Sequence, residues 1–243
     1  MSRPVCAIVG AGEGLGRALA ARFAGEYFDI GLVSRSREGS SAAAEAAVSA
    51  DPGAKVEFFA ADARQPETVE RALNDVASEI GEVNVLIYNA RGEFARRDPL
   101  DMTYAELEEI YRVEVVGAFA AARSVLPAMR KRGAGSVMFS SATAAFRGSA
   151  THPLYAIGKF GLRALAQSLA KAYSKDGVHV VHMRLDCDLD VPLMRKRYGD
   201  NYDNAHLAAP DAVAQAYWWA HKQPKSAWSN EIEIRPHTEN WTY

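Results

Sequence analysis

A doubly wound α/β domain, with a mostly parallel sheet of about seven strands and helices on both faces, is predicted by three observations. Short apolar runs alternate with helical patterns from end to end. Most strand-length runs are near-continuously apolar, as strands covered on both faces are. A glycine-rich turn, 10–16, joins the first run directly to a helical pattern.

The elements follow in order. Val5–Val9 is the first strand, 15–27 a helix and Asp29–Ser34 the second strand. The alanine-rich stretch Ser41–Ala50 reads as a plain helix, because alanine loses least on entering one. Asp51-Pro52-Gly53 is a turn before a third strand at 55–60. Pro66 sits in the first turn of the next helix, and Val83–Tyr88 is a fourth strand. Thr103 and Glu106 form a capping-box pattern for a long helix that reaches Arg132 and that Pro127 bends or ends. Arg130, Lys131 and Arg132 suit the negative end of that helix. A fifth strand at 136–140, a helix at 155–175, a sixth strand at Val178–Leu185, a helix at 211–222 and a last strand at Glu231–Ile234 complete the chain.

With 243 residues and neither repeat nor linker, one domain spanning 1–243 is expected. A net charge of −2 gives no reason to expect nucleic acid or an anionic membrane as partner. No apolar run approaches the roughly 18–20 residues of a membrane span. The N-terminal residues run straight into a strand, so no signal peptide is expected. Cys6 and Cys187 cannot build a disulfide framework, and a cytoplasmic location is the default.

The turn itself is Gly10-Ala11-Gly12-Glu13-Gly14-Leu15-Gly16. Glycines between a strand and a helix let the backbone approach a pyrophosphate at the positive helix N-terminus. The spacing is Gly10-x-x-x-Gly14-x-Gly16, because a G-x-G-x-x-G frame from Gly10 ends on Leu15. The second strand ends Ser34-Arg35-Ser36-Arg37 and carries no carboxylate to bind a ribose 2′-hydroxyl. The planar fork of Arg35, with Arg37 beside it, suits a 2′-phosphate instead.

Further on, Tyr155 and Lys159 stand four apart on a predicted helix and so project from one face. An ammonium beside a phenol favours the phenolate and readies it to exchange a proton with a substrate oxygen. Ser140-Ser141 closes the strand before that helix.

The glycine turn, the serine pair and Tyr-x-x-x-Lys, in this order on these elements, resemble the short-chain dehydrogenase/reductase family over nearly the whole chain. The resemblance implies a Rossmann-like fold, with cofactor-binding residues in about 1–135 and catalytic and substrate residues in about 136–243. It implies an NAD(P)-dependent oxidoreductase acting on CH–OH and C=O groups. Tyr155 would be the general acid/base, Lys159 its partner and a ribose ligand, and Ser141 the orienting hydroxyl, with Ser140 as the fallback. Ser141 stands one residue further from Tyr155 than in the family. Gly10, Gly12, Glu13, Gly14, Leu15, Gly16, Ser34, Arg35, Asp62, Ala63, Asn89, Ala90, Tyr155, Lys159 and Leu189 would hold the cofactor, with NADP(H) favoured over NAD(H). A homodimer or homotetramer is implied, with the two long helices at an interface.

Departures from the family pattern are several. Val9 replaces a threonine, and Glu13 stands where several NADP enzymes carry a base. Arg91 replaces the glycine of Asn-Ala-Gly, and Glu114 replaces the asparagine that holds a relay water. Glu114 is carried as a catalytic candidate that could hold a water, pair with Lys159 or be a structural acid. Asp186-Cys187 replace Pro-Gly, and Val191 replaces a threonine. These departures leave an alternative open, a nucleotide-binding regulatory protein of the same fold with weak or no catalysis. A methyltransferase of related fold would leave the serine and Tyr-x-x-x-Lys unexplained. Substrate loops are expected at 94–98 and 192–207.

No metal is expected, since His179 and His182 point to opposite faces of one strand. His152 precedes Tyr155 and reads as a loop residue. Arg195, Lys196 and Arg197 read as a solvated helix face, and Trp218, Trp219, Trp228 and Trp241 as core or subunit-interface residues.

Overall fold

The computed structural model describes residues 2–239. Seven strands form one sheet: β1 (Val5–Val9), β2 (Asp29–Ser34), β3 (Val56–Ala60), β4 (Val83–Tyr88), β5 (Gly135–Ala142), β6 (Val178–Leu185) and β7 (Glu231–Ile234). Their order is β3-β2-β1-β4-β5-β6-β7, and every neighbouring pair is parallel. Parallel neighbours require crossovers, and the helices supply them. On one face pack α3 (Pro66–Glu79), α5 (Gly117–Arg132) and α6 (Pro153–Tyr173). On the other pack α1 (Leu15–Gly25), α2 (Ser41–Ala50) and α8 (Pro210–Lys222). All five residues of β1 are buried between these layers, which is why its sequence is continuously apolar.

Most elements lie where the sequence puts them, and the differences have local causes. α1 stops at Gly25 because Tyr27 takes a left-handed backbone (φ 71°). The capping box at Thr103 and Glu106 is formed, opening α4 (Tyr104–Tyr111). The long helix predicted to reach Arg132 is interrupted at Arg112–Val116 by a π turn, while Pro127 lies within α5. A π turn adds a residue to the helical repeat and re-aims the side chains on it. Here it turns Val113 and Glu114 inward. A short helix, α7 (Pro192–Tyr198), occupies part of the expected substrate loop.

Trp218 packs edge-on against Phe23 and Phe28, and Trp228 stacks on His179. Trp219 is exposed, and Trp241 lies outside the described residues. His182 is fully buried. Among the described residues no helix is long and apolar enough to cross a membrane, and no cluster of side chains could hold a metal ion.

Candidate active site

The strand order reverses between β1 and β4, and a cavity of about 830 Å³ opens along the C-terminal ends of β1, β4, β5 and β6. Gly10, Gly12, Glu13, Gly14, Leu15 and Gly16 line one end of its wall. The turn is fixed by backbone packing. Gly10 has φ +90°, and a Cβ there would lie 2.5 Å from the Ala90 nitrogen. Asn89 donates from Nδ2 to the Gly10 carbonyl at 3.0 Å, tying β4 to the turn. At Gly12, by contrast, a Cβ would meet nothing within 4 Å, so the bare backbone faces open space at the start of α1. That cradle fits the pyrophosphate of a dinucleotide.

Ser141, Tyr155 and Lys159 line the same cavity. Tyr155 and Lys159 project from one face of α6, with Lys159 Nζ 5.4 Å from the tyrosine ring centroid. The two serines of β5 face opposite sides of the sheet. Ser140 Oγ is taken by the Tyr217 hydroxyl of α8 at 2.7 Å. Ser141 Oγ is buried and makes no hydrogen bond within the protein, so its hydrogen-bonding capacity is unused.

Glu114 lies beneath this group, fully buried and off the cavity wall. Its carboxylate reaches Lys159 Nζ at 2.8 Å and accepts the Gly92 N–H at 2.8 Å. Lys159 Nζ also donates to the Ser140 carbonyl at 3.2 Å. Burial works against the lysine's charge, but the Glu114 carboxylate and Tyr155 outweigh it and hold its pKa above the ordinary value.

On the opposite wall stand Thr143 and Asp186, the latter one of the departures from the family pattern, while Arg184, Glu233 and Arg235 lie off the wall. Asp186 accepts from the Thr143 hydroxyl and pairs with Arg235. Glu233 pairs with both Arg235 and Arg184. Phe94 stacks on His152, with centroids 4.0 Å apart, and sets its ring edge-on to Tyr155 at 5.0 Å. Phe94 and His152 both line the cavity, so His152 is more than the loop residue it reads as in sequence. Met194, in the expected substrate loop 192–207, also lines it, as does Arg147, which carries no local sequence signal. Arg195 is engaged by Asp190 at 2.9 Å, whereas Arg197 of the same basic run faces the cavity.

Asn89 and Leu189 also lie on the wall, and Ser34, Arg35, Asp62, Ala63 and Ala90 lie off it. Ser34 Oγ bonds the Ser36 carbonyl at 3.0 Å and Ser40 Oγ at 2.5 Å, while Arg35 is exposed at the strand tip. Asp62 is clasped by Arg64 at 2.8 Å, which holds its carboxyl below the usual carboxylate range. Ala63 backs the start of α5 at Gly117, and Ala90 backs Gly10.

The model of the short chain dehydrogenase family matches residues 4–187. The chain belongs to that family. It is 30% identical over 176 residues to a levodione reductase of Leifsonia aquatica, a match covering 72% of this chain and 66% of that protein. It is 32% identical over 188 residues to a 3-dehydrosphinganine reductase of Arabidopsis thaliana, covering 76% of this chain and 55% of that one. The matches therefore span only about half to two thirds of these relatives. The crystal structure of a short-chain dehydrogenase from Rhodopseudomonas palustris superposes with a TM-score of 0.81 at 29% identity, covering 96% of this chain and 99% of that one.

Proposed function

We propose that this protein is an NADP(H)-dependent oxidoreductase that interconverts a carbonyl and an alcohol on a small molecule. One observation carries the reading: a free buried hydroxyl (Ser141), a phenol (Tyr155) and an ammonium (Lys159) share one cavity with an open glycine cradle. The Gly10–Gly16 turn would hold the pyrophosphate. The nicotinamide, when bound, supplies or accepts hydride. Ser141 orients the substrate oxygen by a hydrogen bond, and Tyr155 gives that oxygen a proton in reduction or takes it in oxidation. Lys159 offers donors to a ribose and holds positive charge beside the phenol. Ser34 and Arg35, with no carboxylate at the β2 tip, support the phosphorylated cofactor over NAD(H). Asp62, Ala63, Asn89, Ala90 and Leu189 complete the proposed cofactor contacts.

Two free cysteines, one of them buried, suit a reducing cytoplasm. Exposed Phe119 on α5 and exposed Ile157 and Phe160 on α6 support a homodimer or homotetramer through these helices. Sedimentation or light scattering measures that mass directly.

The test is Tyr155→Phe, assayed with NADPH on a panel of ketones and aldehydes. Turnover is expected to fall at least ~100-fold, the scale of a lost general acid, with NADPH binding retained. Undiminished turnover would remove the mechanism. NADPH binding without turnover in the wild-type protein would favour the regulatory alternative.

A further inference from the structure

The buried Glu114 is unusual in what it touches. It sits on the π turn between α4 and α5, yet contacts both the catalytic helix and the loop after β4. Its place is built into the tyrosine–lysine motif itself. A Cβ on Gly158 would lie 2.7 Å from Glu114 Cγ, so the glycine beside Lys159 makes room for the acid. With Glu114 fully buried and the lysine side chain 3% exposed, solvent screens this pair little.

We propose that Glu114 is a positioning residue that counterbalances the positive charge of Lys159, so that Tyr155 waits as a proton-donating phenol up to a higher pH than beside an uncompensated ammonium. The proposal rests on the reading of Tyr155 as the acid of an oxidoreductase. It follows from charge balance. With the Glu114–Lys159 ion pair in place, a Tyr155 phenolate at the cavity wall leaves the three side chains with a net charge of −1. Without the carboxylate, phenolate and ammonium balance each other, and the phenolate forms more readily.

The other charged and titratable groups around the trio do not replace Glu114. Arg91, on the loop after β4, acts on Lys159 as a like charge and disfavours its protonation. Tyr88, at the end of β4, donates its O–H to the Val113 carbonyl, and its pKa is pushed up by burial and by Glu114. His182 of β6 is held neutral by burial, which outweighs the opposing Glu231 carboxylate, and Arg163, Lys159 and Arg184 add to the effect of burial. No second carboxylate contacts Lys159 among the described residues.

The test uses the tyrosinate absorbance of the full-length protein during alkaline titration. Wild type and Glu114→Gln are each measured against the same chain carrying Tyr155→Phe, which isolates the Tyr155 signal. Glutamine keeps the shape and the Gly92 contact and removes the charge. The Tyr155 signal is expected about one pH unit or more lower in Glu114→Gln, and unmoved in Glu114→Asp. NADPH-dependent carbonyl reduction should lose its alkaline range in step, with NADPH binding retained. Coincident titrations of wild type and Glu114→Gln, or a move to higher pH, would overturn the proposal. Wild-type protein without turnover but with the tyrosinate shift intact would overturn the oxidoreductase reading alone. Should Glu114→Gln not fold, the Cε chemical shift of Lys159 in the wild type decides. It should report an ammonium beyond the pH at which surface lysines lose their protons. Earlier neutralisation would overturn the proposal.

Discussion

The two walls of the cavity are held by different forces. Along the glycine turn, backbone packs on backbone: Gly10 against Ala90, with one side-chain amide, from Asn89, closing the contact. Across the cavity, Asp186, Arg235, Glu233 and Arg184 tie β6 and β7 together through charge, and Thr143 hangs from Asp186. A backbone contact tolerates no added atom and shows in sequence as fixed glycine spacing. A charge network is spread over distant positions and shows no local period. The first wall is therefore fixed by local backbone geometry, and the second by contacts between residues distant in the chain.

The largest effect that would sharpen this contrast is at Gly10. Gly10→Ala places a side chain at φ +90° and 2.5 Å from a backbone nitrogen. It should cost on the order of 3 kcal/mol of stability in urea or thermal melts and abolish NADPH binding. Gly12→Ala, where a Cβ meets open space, should melt within about 0.5 kcal/mol of the wild type and weaken only the cofactor. Equal melting of the two variants would break the contrast.

Next comes the charged wall. Asp186→Ala leaves the Thr143 hydroxyl without its acceptor and Arg235 without one of its carboxylates. A loss of about 1–3 kcal/mol in urea unfolding is expected, with NADPH affinity nearly unchanged and KM for substrate raised. An equal loss of NADPH affinity would show that the walls are not separable.

Much of the first wall is legible in the sequence, and little of the second. The apolar runs and the Gly10–Gly16 spacing place the sheet and turn because both depend on local pattern. The capping box at Thr103 and Glu106 is legible for the same reason. The π turn at Arg112–Val116 is not, because its cause is tertiary: Glu114 is drawn inward to Lys159 and Gly92, and Val113 to Tyr88. Of the two adjacent serines, only the hydrogen bond to Tyr217, 77 positions away, marks Ser140 as taken. Likewise, the family resemblance suggests Asp62 for the cofactor, and only the fold shows Arg64 holding it.

Acid should strike the sheet rather than the turn. Burial lowers the pKa of His182 on β6 to about 4, and that of His221 on α8 to about 4. The unfolded chain, near the ordinary value of about 6.5, then binds more protons than the native state as pH falls from about 6.5 to 4. The stability that neutral His182 contributes is complete above pH ~6.5 and is lost as pH falls through its folded value. By pH 5 that loss is up to roughly 2 kcal/mol. His182→Leu should flatten the dependence of the urea midpoint on pH, and an unchanged slope would count against it. A smaller loss is expected at the capping box, whose residues lie off the cavity wall. Thr103→Ala should lower stability by about 1 kcal/mol in thermal melts and leave turnover unchanged.

A crystal structure of the protein grown with NADP+ tests the central claim most directly. The reading requires the pyrophosphate against the Gly10–Gly16 turn, the 2′-phosphate at Arg35, and the nicotinamide ring within about 4–5 Å of the Tyr155 hydroxyl, near reacting distance. A ring seated well away from Tyr155 and Ser141, or a dinucleotide bound elsewhere on the chain, would contradict it.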